Sequence, residues 1–525
     1  MAKWSSQIRG EETWRDVMEW RARIYPDKLA VCSPGTSKQS TFKELNQRVN
    51  SLTNALIGLG VKKGDRVAVL ATDIPEYIEI ASTCKAGNVY VPLNWRLKGQ
   101  ELTYIINDSG ANTVFVEEQF CDTIRSIHLQ LPQVKHFICI DGSPEDMLSY
   151  NELIGSYPSD DPGVEVVEND ILTLLYTSGT TGLPKGVIRK HRDTLSHLRM
   201  MNEDGRIRND DRCLCMMPLF HAAMIHVNFA FIMWGATHWL IKKFDPEAIF
   251  ELVQREKMTW LAGVPTMFIS LTEHPSRTNY DLSSLRYIAY IGSPMPVEAL
   301  RRAVDVFGPI FSQGYGLSEN TGETLLTAED HLIALKEPGK ERILFSVGKP
   351  LLGCQMRLVD DNDNDVPLGG MGEIIFHSDH IIEGYWNKPE ETEQALKNGW
   401  LHTGDIGKLD EDGYLYIVDR KKDLIISGGE NISSKEVEDV IYAHPAVLEC
   451  AVIGVPSERW GEEVKAIVAL RKGMTATSEE IIDYCVEHLG GFKKPKSVEI
   501  RDELPKNPVG KIMKKELREK YWAAP

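Results

Sequence analysis

An apolar run, Ile171-Leu172-Thr173-Leu174-Leu175-Tyr176, leads directly into Thr177-Ser178-Gly179-Thr180-Thr181-Gly182-Leu183-Pro184-Lys185-Gly186. A short apolar run of this kind reads as a buried strand. The chain must therefore fold around a sheet that delivers a loop rich in glycine and hydroxyl groups. Glycine lets the main chain approach a ligand closely, the N–H and hydroxyl groups donate, and Lys185 adds a point charge, so a polyphosphate is the expected guest. Most Ser/Thr/Gly stretches are plain surface loops. The donor density here, and a lysine set between Pro184 and Gly186, argue otherwise. The pattern is not a Walker A loop, which requires Gly-Lys-[Ser/Thr].

With 525 residues the chain is too long for one core and calls for at least two domains. A net charge of −17 argues against non-specific nucleic-acid binding. Nine cysteines lack any framework or zinc spacing and read as reduced intracellular thiols. The N-terminus carries Lys3, Arg9, Glu11 and Glu12 and is no signal peptide. The most apolar stretch, Ala222 to Ile241, contains His226, Asn228 and His238, which lipid would penalise. A buried helix followed by a strand is the better reading. The expectation is a cytoplasmic enzyme with no transmembrane segment and no nucleic-acid partner; a homodimer is compatible with it.

Helical spacing over Thr41 to Leu59 is followed by strands at Arg66-Leu70, Val89-Leu93 and Thr113-Val116, with helices from Pro75 to Ala86 and Gly99 to Asp108 between them. This β-α-β-α-β alternation predicts parallel sheets covered by helices. Pro132 to Pro162 is acidic and turn-rich and reads as a peripheral connection.

Further on, Pro218-Leu219-Phe220-His221 places a histidine beside apolar residues, usually a packed core position. Ile288 to Pro296 is a strand ending in the small-residue turn Gly292-Ser293-Pro294. Gln313-Gly314-Tyr315-Gly316-Leu317-Ser318-Glu319 offers a ring face, a hydroxyl and a hard carboxylate. Gly384-Tyr385-Trp386 precedes Asp405, which sits in a turn between Gly404 and Gly407. Asp419 to Asp423, including Arg420 and Lys422, would ordinarily be a solvated turn. Gly428-Gly429 is a second glycine turn, and Lys511 follows Asn507-Pro508-Val509-Gly510.

Together these motifs, in this order, resemble the adenylate-forming superfamily, and most closely its acyl-CoA synthetase branch of fatty-acid–CoA ligases. The resemblance runs from about residue 12 to 520. It implies an α/β fold: a large N-terminal domain (1–420) of stacked parallel and mixed sheets with a β-barrel-like subdomain, and a small α+β C-terminal domain (421–525) on a hinge at Lys422. It implies that Thr177, Ser178, Gly179, Thr180, Thr181, Gly182 and Lys185 hold the ATP phosphates. Gly292, Ser293, Pro294, Gly314, Tyr315 and Gly316 would frame adenine, and Ser318 would meet the α-phosphate. Glu319 would bind Mg²⁺, and Asp405 and Arg420 would take the ribose. His221, Gly292 and Leu317 would line the acid pocket, and Gly428 and Gly429 would face coenzyme A. Lys511, Glu319 and Thr177 would be catalytic. The implied reaction converts a small-molecule carboxylic acid, apolar and most like a fatty acid, to acyl-AMP and pyrophosphate, then to acyl-CoA and AMP. Aryl or cyclic acids, and loading of a separate carrier protein, are the alternatives.

Overall fold

The computed structural model describes residues 12–36, 38–177, 183–202, 206–428, 430–506 and 512–522. The chain forms two compact units. One comprises the residues up to Thr177, Pro184–Gln355 and His377–Leu401; the other comprises Met356–Phe376 and the chain from His402 onward.

The first unit is built on two sheets. In the seven-stranded sheet, Arg66–Leu70 lies between Val89–Pro92 and Ala111–Val116, parallel to both. Ile171–Tyr176 continues the sheet beyond Val89–Pro92 and pairs antiparallel with Gly186–Lys190 at the edge. The nine-stranded sheet has a parallel centre in the order Phe311–Tyr315, Tyr287–Ile291, Trp260–Gly263, Arg212–Cys215, Thr237–Leu240 and Leu29–Cys32. Its outer strands are antiparallel. Side chains of both sheets, including Val67, Val69, Cys213 and Ala262, share one apolar core with the helix Ala222–Trp234. Apart from His226 and Asn228 that helix is apolar on every face, as burial on nearly every side requires. In this core the rings of Trp14 and Phe229 stack at 4.3 Å.

Most of the second unit's first sheet comes from the strands Gln355–Val359, Met371–His377, Trp400–Leu409 and Leu415–Arg420, whose residues Gln355, His377, Trp400 and Leu401 group with the first unit. A second sheet pairs the long hairpin Val447–Ser457 and Gly461–Leu470, with Ile425–Ser427 and Ser497–Arg501 also on Gly461–Leu470. Alternation along the hairpin sends Val452, Val464 and Val468 toward the helices Ser434–Tyr442 and Ser478–His488. It sends Ala451, Ile453 and Ile467 toward Leu517 of Lys514–Trp522. Period-two patterning of this kind produces a sheet covered on both faces. The expected α/β class and the α+β C-terminal region both stand.

Residues 132–162 are not the peripheral connection expected. His136–Cys139 is a parallel strand beside Ala111–Val116, and Tyr150–Ser156 is a helix. Tyr150 is fully buried and its hydroxyl bonds the Glu79 carboxylate, which Arg48 also holds at 2.7 Å. Four apolar or aromatic residues between turn signals are too short a run to announce a strand. The helix from Pro75 also ends at Ala81, with Ser82–Ala86 wound as a tighter 3₁₀ turn. No described helix is long and apolar enough to cross a membrane. All nine cysteines are free thiols, eight of them buried and Cys354 partly so.

Candidate active site

Four neighbouring parallel strands of the nine-stranded sheet, Arg212–Cys215, Trp260–Gly263, Tyr287–Ile291 and Phe311–Tyr315, end at the same edge. Ligands of open α/β sheets gather outside the carboxyl ends of such strands. The register pairs Ile291 with Gly314, so the Gly292-Ser293-Pro294 turn lies next to Tyr315. Gly292 is exposed with φ +89, a conformation that favours glycine. Gly316 is required for a different reason. A Cβ there would come within 2.3 Å of the Gly322 backbone nitrogen. The turn between these glycines is closed by Asn320, whose Oδ1 accepts from Leu317 N–H at 2.7 Å. Leu317, Ser318 and Glu319 are half-buried on this turn.

From the first strand of the four, the chain passes through Pro218 to His221, the residue that precedes helix Ala222–Trp234. His221 stacks on Phe220 at 6.1 Å, and the Arg96 guanidinium lies 5.8 Å from the Phe220 ring. Burial first, and Arg96 second, lower the His221 pKa, so its imidazole is neutral. A neutral ring beside apolar groups suits an acyl chain better than a second charge.

Glu319 is anchored through both its backbone and its carboxylate. Its backbone carbonyl accepts from Ile382 N–H at 3.1 Å and from Arg189 Nη1 at 3.4 Å. Its carboxylate Oε1 accepts from the Tyr385 hydroxyl at 2.7 Å. The backbone of Tyr385 is bridged to Val187, and Trp386 N–H donates to Gly186 at 2.7 Å, so this segment rides on the strand that follows the glycine-rich loop. Lys185 Nζ lies 5.0 Å from the centre of the Tyr385 ring, a cation–π contact. One tyrosine therefore holds the carboxylate with its hydroxyl and the loop lysine with its face. The base of the loop is closed by Thr177 N–H donating to Lys185 C=O at 3.0 Å. Ser178, Gly179, Thr180, Thr181 and Gly182 lie outside the described residues.

The donor set suits Mg²⁺ delivered with a nucleotide. No group of three or more His, Cys, Asp or Glu side chains able to hold a metal occurs among the described residues. A single carboxylate supplemented by phosphates and water is the way this ion is ordinarily held.

In the second unit, Asp405 and Arg420 face each other across antiparallel strands, with Arg420 Nε 2.7 Å from Asp405 Oδ1. Asp405 N–H donates to Thr403 Oγ1 at 3.0 Å, and Gly404 before it has φ +69. Lys422 is exposed in the following turn and borders a cleft of about 300 Å³ with Asp423, Arg518 and Trp522. Gly428 has φ +61, and a Cβ there would meet the Trp460 ring at 2.8 Å. Gly429 and Lys511 lie outside the described residues, although Lys506 and Ile512 are bridged on either side of the latter.

The family model for the AMP-binding enzyme matches residues 18–386, and that for its C-terminal domain matches 436–511. The chain belongs to the AMP-binding enzyme family. The feruloyl-CoA synthase of Amycolatopsis sp is 37% identical over 507 residues, covering 95% of this chain and 97% of that protein. The long-chain-fatty-acid–CoA ligase FadD13 of Mycobacterium tuberculosis is 36% identical over 512 residues, covering 97% and 98%. Among solved structures, the anthranilate CoA ligase AuaEII in complex with anthranoyl-AMP aligns over 97% of both chains with TM-score 0.85 at 29% identity. This AMP-binding enzyme is an acid–thiol ligase of the acyl-CoA synthetase branch, catalysing ATP-dependent acyl-CoA formation.

Sequence reasoning missed Arg189 and the role of Tyr385. Tyr385 was visible only as part of a Gly-Tyr-Trp cluster, and Arg189 reads as an ordinary basic residue beside Lys190. Arg189 is fully buried, with Nε 3.0 Å from Asp193 Oδ1 and Nη1 donating to His380 C=O at 3.0 Å. Alternation along Gly186–Lys190, which puts Val187 and Arg189 on one face, was the available signal. Tyr385→Phe removes the bond to Glu319 and keeps the ring under Lys185. It is expected to raise the KM for Mg·ATP about tenfold, measured by pyrophosphate release. Tyr385→Leu, which loses both, should do more damage.

Proposed function

We propose that this ligase activates an acid with an apolar body, aliphatic or aromatic, as its adenylate and passes the acyl group to coenzyme A. The observation that supports the assignment of roles most directly is the Glu319–Tyr385–Lys185 constellation. It joins a carboxylate suited to Mg²⁺ and a cation at the end of the phosphate loop through one side chain. A triphosphate is anionic throughout and needs positive charge along its length, and this arrangement offers two sources: an ion that the carboxylate would hold and the lysine ammonium.

In the first half-reaction the acid's carboxylate attacks the α-phosphorus and pyrophosphate leaves. The protein supplies no nucleophile. Thr177 through Gly182 and Lys185 hold the phosphates, Ser318 meets the α-phosphate, and Lys511 stabilises the charge that develops as pyrophosphate departs. When bound, Mg²⁺ neutralises phosphoryl oxygens, and Glu319 would hold it. Tyr315 and the Gly292–Pro294 turn frame adenine, and Asp405 with Arg420 takes the ribose. His221, Gly292 and Leu317 line the acid's pocket. In the second half-reaction the segment from residue 421 turns about Lys422 and brings Gly428-Gly429 toward the adenylate, where coenzyme A displaces AMP.

The test is CoA-dependent AMP release across acids from C2 to C18, with benzoate and coumarate. Activity confined to one series identifies the acid class. AMP release that needs a carrier protein in place of free CoA would overturn the ligation step.

A further inference from the structure

The strands on either side of the glycine-rich loop, Ile171–Tyr176 and Gly186–Lys190, meet one helix, Gly99–Ser109, through polar side chains. The Tyr176 hydroxyl donates to Asp108 Oδ2 at 2.7 Å. On the other side of the loop the Tyr104 hydroxyl donates to the Pro184 carbonyl at 3.1 Å, and Asp108 Oδ1 stands 3.4 Å from the same hydroxyl. The Asp108 carbonyl accepts from the Trp386 indole N–H at 3.1 Å. Tyr176 is the residue before Thr177, and Pro184 is the residue before Lys185. One helix therefore holds the neighbours of two residues assigned to the phosphates.

Packing reinforces these bonds. Leu102, Ile105 and Ile106 of the helix are buried in a core against which Tyr104, Tyr176 and Trp386 also pack. At Gly186 a Cβ would lie 3.1 Å from the Tyr176 ring and 3.3 Å from Trp386 Cβ, so the segment after Lys185 has little room to shift.

Helix formation does not account for Asp108. It lies in the last turn, where a carboxylate opposes the helix dipole. The carboxylate is instead met by a phenol, and a hydrogen bond to an ionised acceptor is roughly twice as strong as a neutral one. Burial first, and Asp108 second, raise the pKa of both phenols, so each keeps the hydrogen it donates. Tyr104, Asp108 and Tyr176 are each only half-buried, so the cluster lies outside the sealed core.

We propose that Asp108 and Tyr104 are positioning residues for adenylation, fixing both ends of the loop so that Thr177 and Lys185 meet the phosphates of ATP. This rests on the acyl-CoA ligase reading above and deepens it. Asp108 acts through the Tyr176 hydroxyl, and Tyr104 through the Pro184 carbonyl. Misplacement by about 1 Å at a reacting centre can cost on the order of a hundredfold in rate, which gives such a clamp its leverage. The clamp serves the step in which the triphosphate is bound. AMP and the acyl-adenylate carry only the α-phosphate, which Ser318 would meet.

The experiment compares Tyr104→Phe, Asp108→Ala and Tyr176→Phe with the wild type in the full chain, with unfolding midpoints recorded. For Tyr104→Phe and Asp108→Ala, the KM for Mg·ATP in pyrophosphate release is expected to rise about threefold to tenfold. The KM for the acid, and acyl-CoA formation from synthetic acyl-adenylate, should stay at wild-type values. Calorimetry should show the same loss for a non-reactive ATP analogue and none for AMP. Asp108→Ala and Tyr176→Phe break the same bond, so the double variant should cost no more than Asp108→Ala alone. Equal losses for the ATP analogue and AMP, or in both half-reactions, would overturn the proposal. So would a wild-type KM for Mg·ATP in both single variants. Should Asp108→Ala fail to fold, Asp108→Asn, which keeps an acceptor and loses the charge, takes its place with the same expectations. Absence of CoA-dependent AMP release with every acid would instead overturn the ligase reading, and the contrast between ATP analogue and AMP would still test the clamp.

Discussion

Replacing Lys511 with alanine is expected to reduce acyl-adenylate formation on the order of a hundredfold to a thousandfold, while thioester formation from a supplied acyl-adenylate stays largely intact. The reason is where charge changes. Pyrophosphate leaves with more negative charge than it bore as part of ATP, and a preorganised cation placed there acts on the first half-reaction alone. Thiol attack on the adenylate expels AMP and needs no such partner at the pyrophosphate position. The substitution should not disturb folding, because the hydrophobic anchors around it are elsewhere: Leu504 and Leu517 are buried, and the Lys506–Ile512 bridge is a backbone feature. The two half-reactions are separated by assaying pyrophosphate release without CoA and acyl-CoA formation from synthetic adenylate. If both fell in equal proportion, a role confined to adenylation would be wrong.

Glu319→Gln should be comparably severe, at about a hundredfold to a thousandfold in adenylation. Glutamine retains an oxygen for the Tyr385 hydroxyl and nearly the same volume, so the turn held by Asn320, Ile382 and Arg189 remains. Only the charge is removed. That makes a binding measurement decisive. Titration with a non-reactive ATP analogue should show the wild type binding more tightly with Mg²⁺ than with chelator present, and the variant should lose most of that difference. Equal Mg²⁺ dependence in the two proteins would remove Glu319 from the metal site.

Much of the architecture was legible because its strands are short apolar runs bounded by glycine or by turn residues. Ile171–Tyr176 and Arg66–Leu70 were read to the residue. His136–Cys139 escaped because four residues carry too little pattern, and its burial comes from a sheet already formed by its neighbours. Each candidate site residue was proposed from its own contiguous motif. What joins them was not. Glu319, Tyr385 and Arg189 are brought together by pairing between the strand after the glycine-rich loop and the segment at Tyr385. No local periodicity encodes such a contact.

The cysteines have a practical consequence for an enzyme whose co-substrate is a thiol. Burial pushes Cys32 and Cys121 up to about 12 and Cys485 to about 11, and drives Cys84, Cys213, Cys215, Cys354 and Cys450 upward as well. Thiolate is the form that exchanges with disulfides, so these eight positions offer almost none at neutral pH. They are thereby protected from mixed-disulfide formation with oxidised coenzyme A. Free coenzyme A can accordingly be followed with a thiol-reactive chromophore in the presence of the enzyme, and a rise in protein-derived signal becomes a direct report of unfolding.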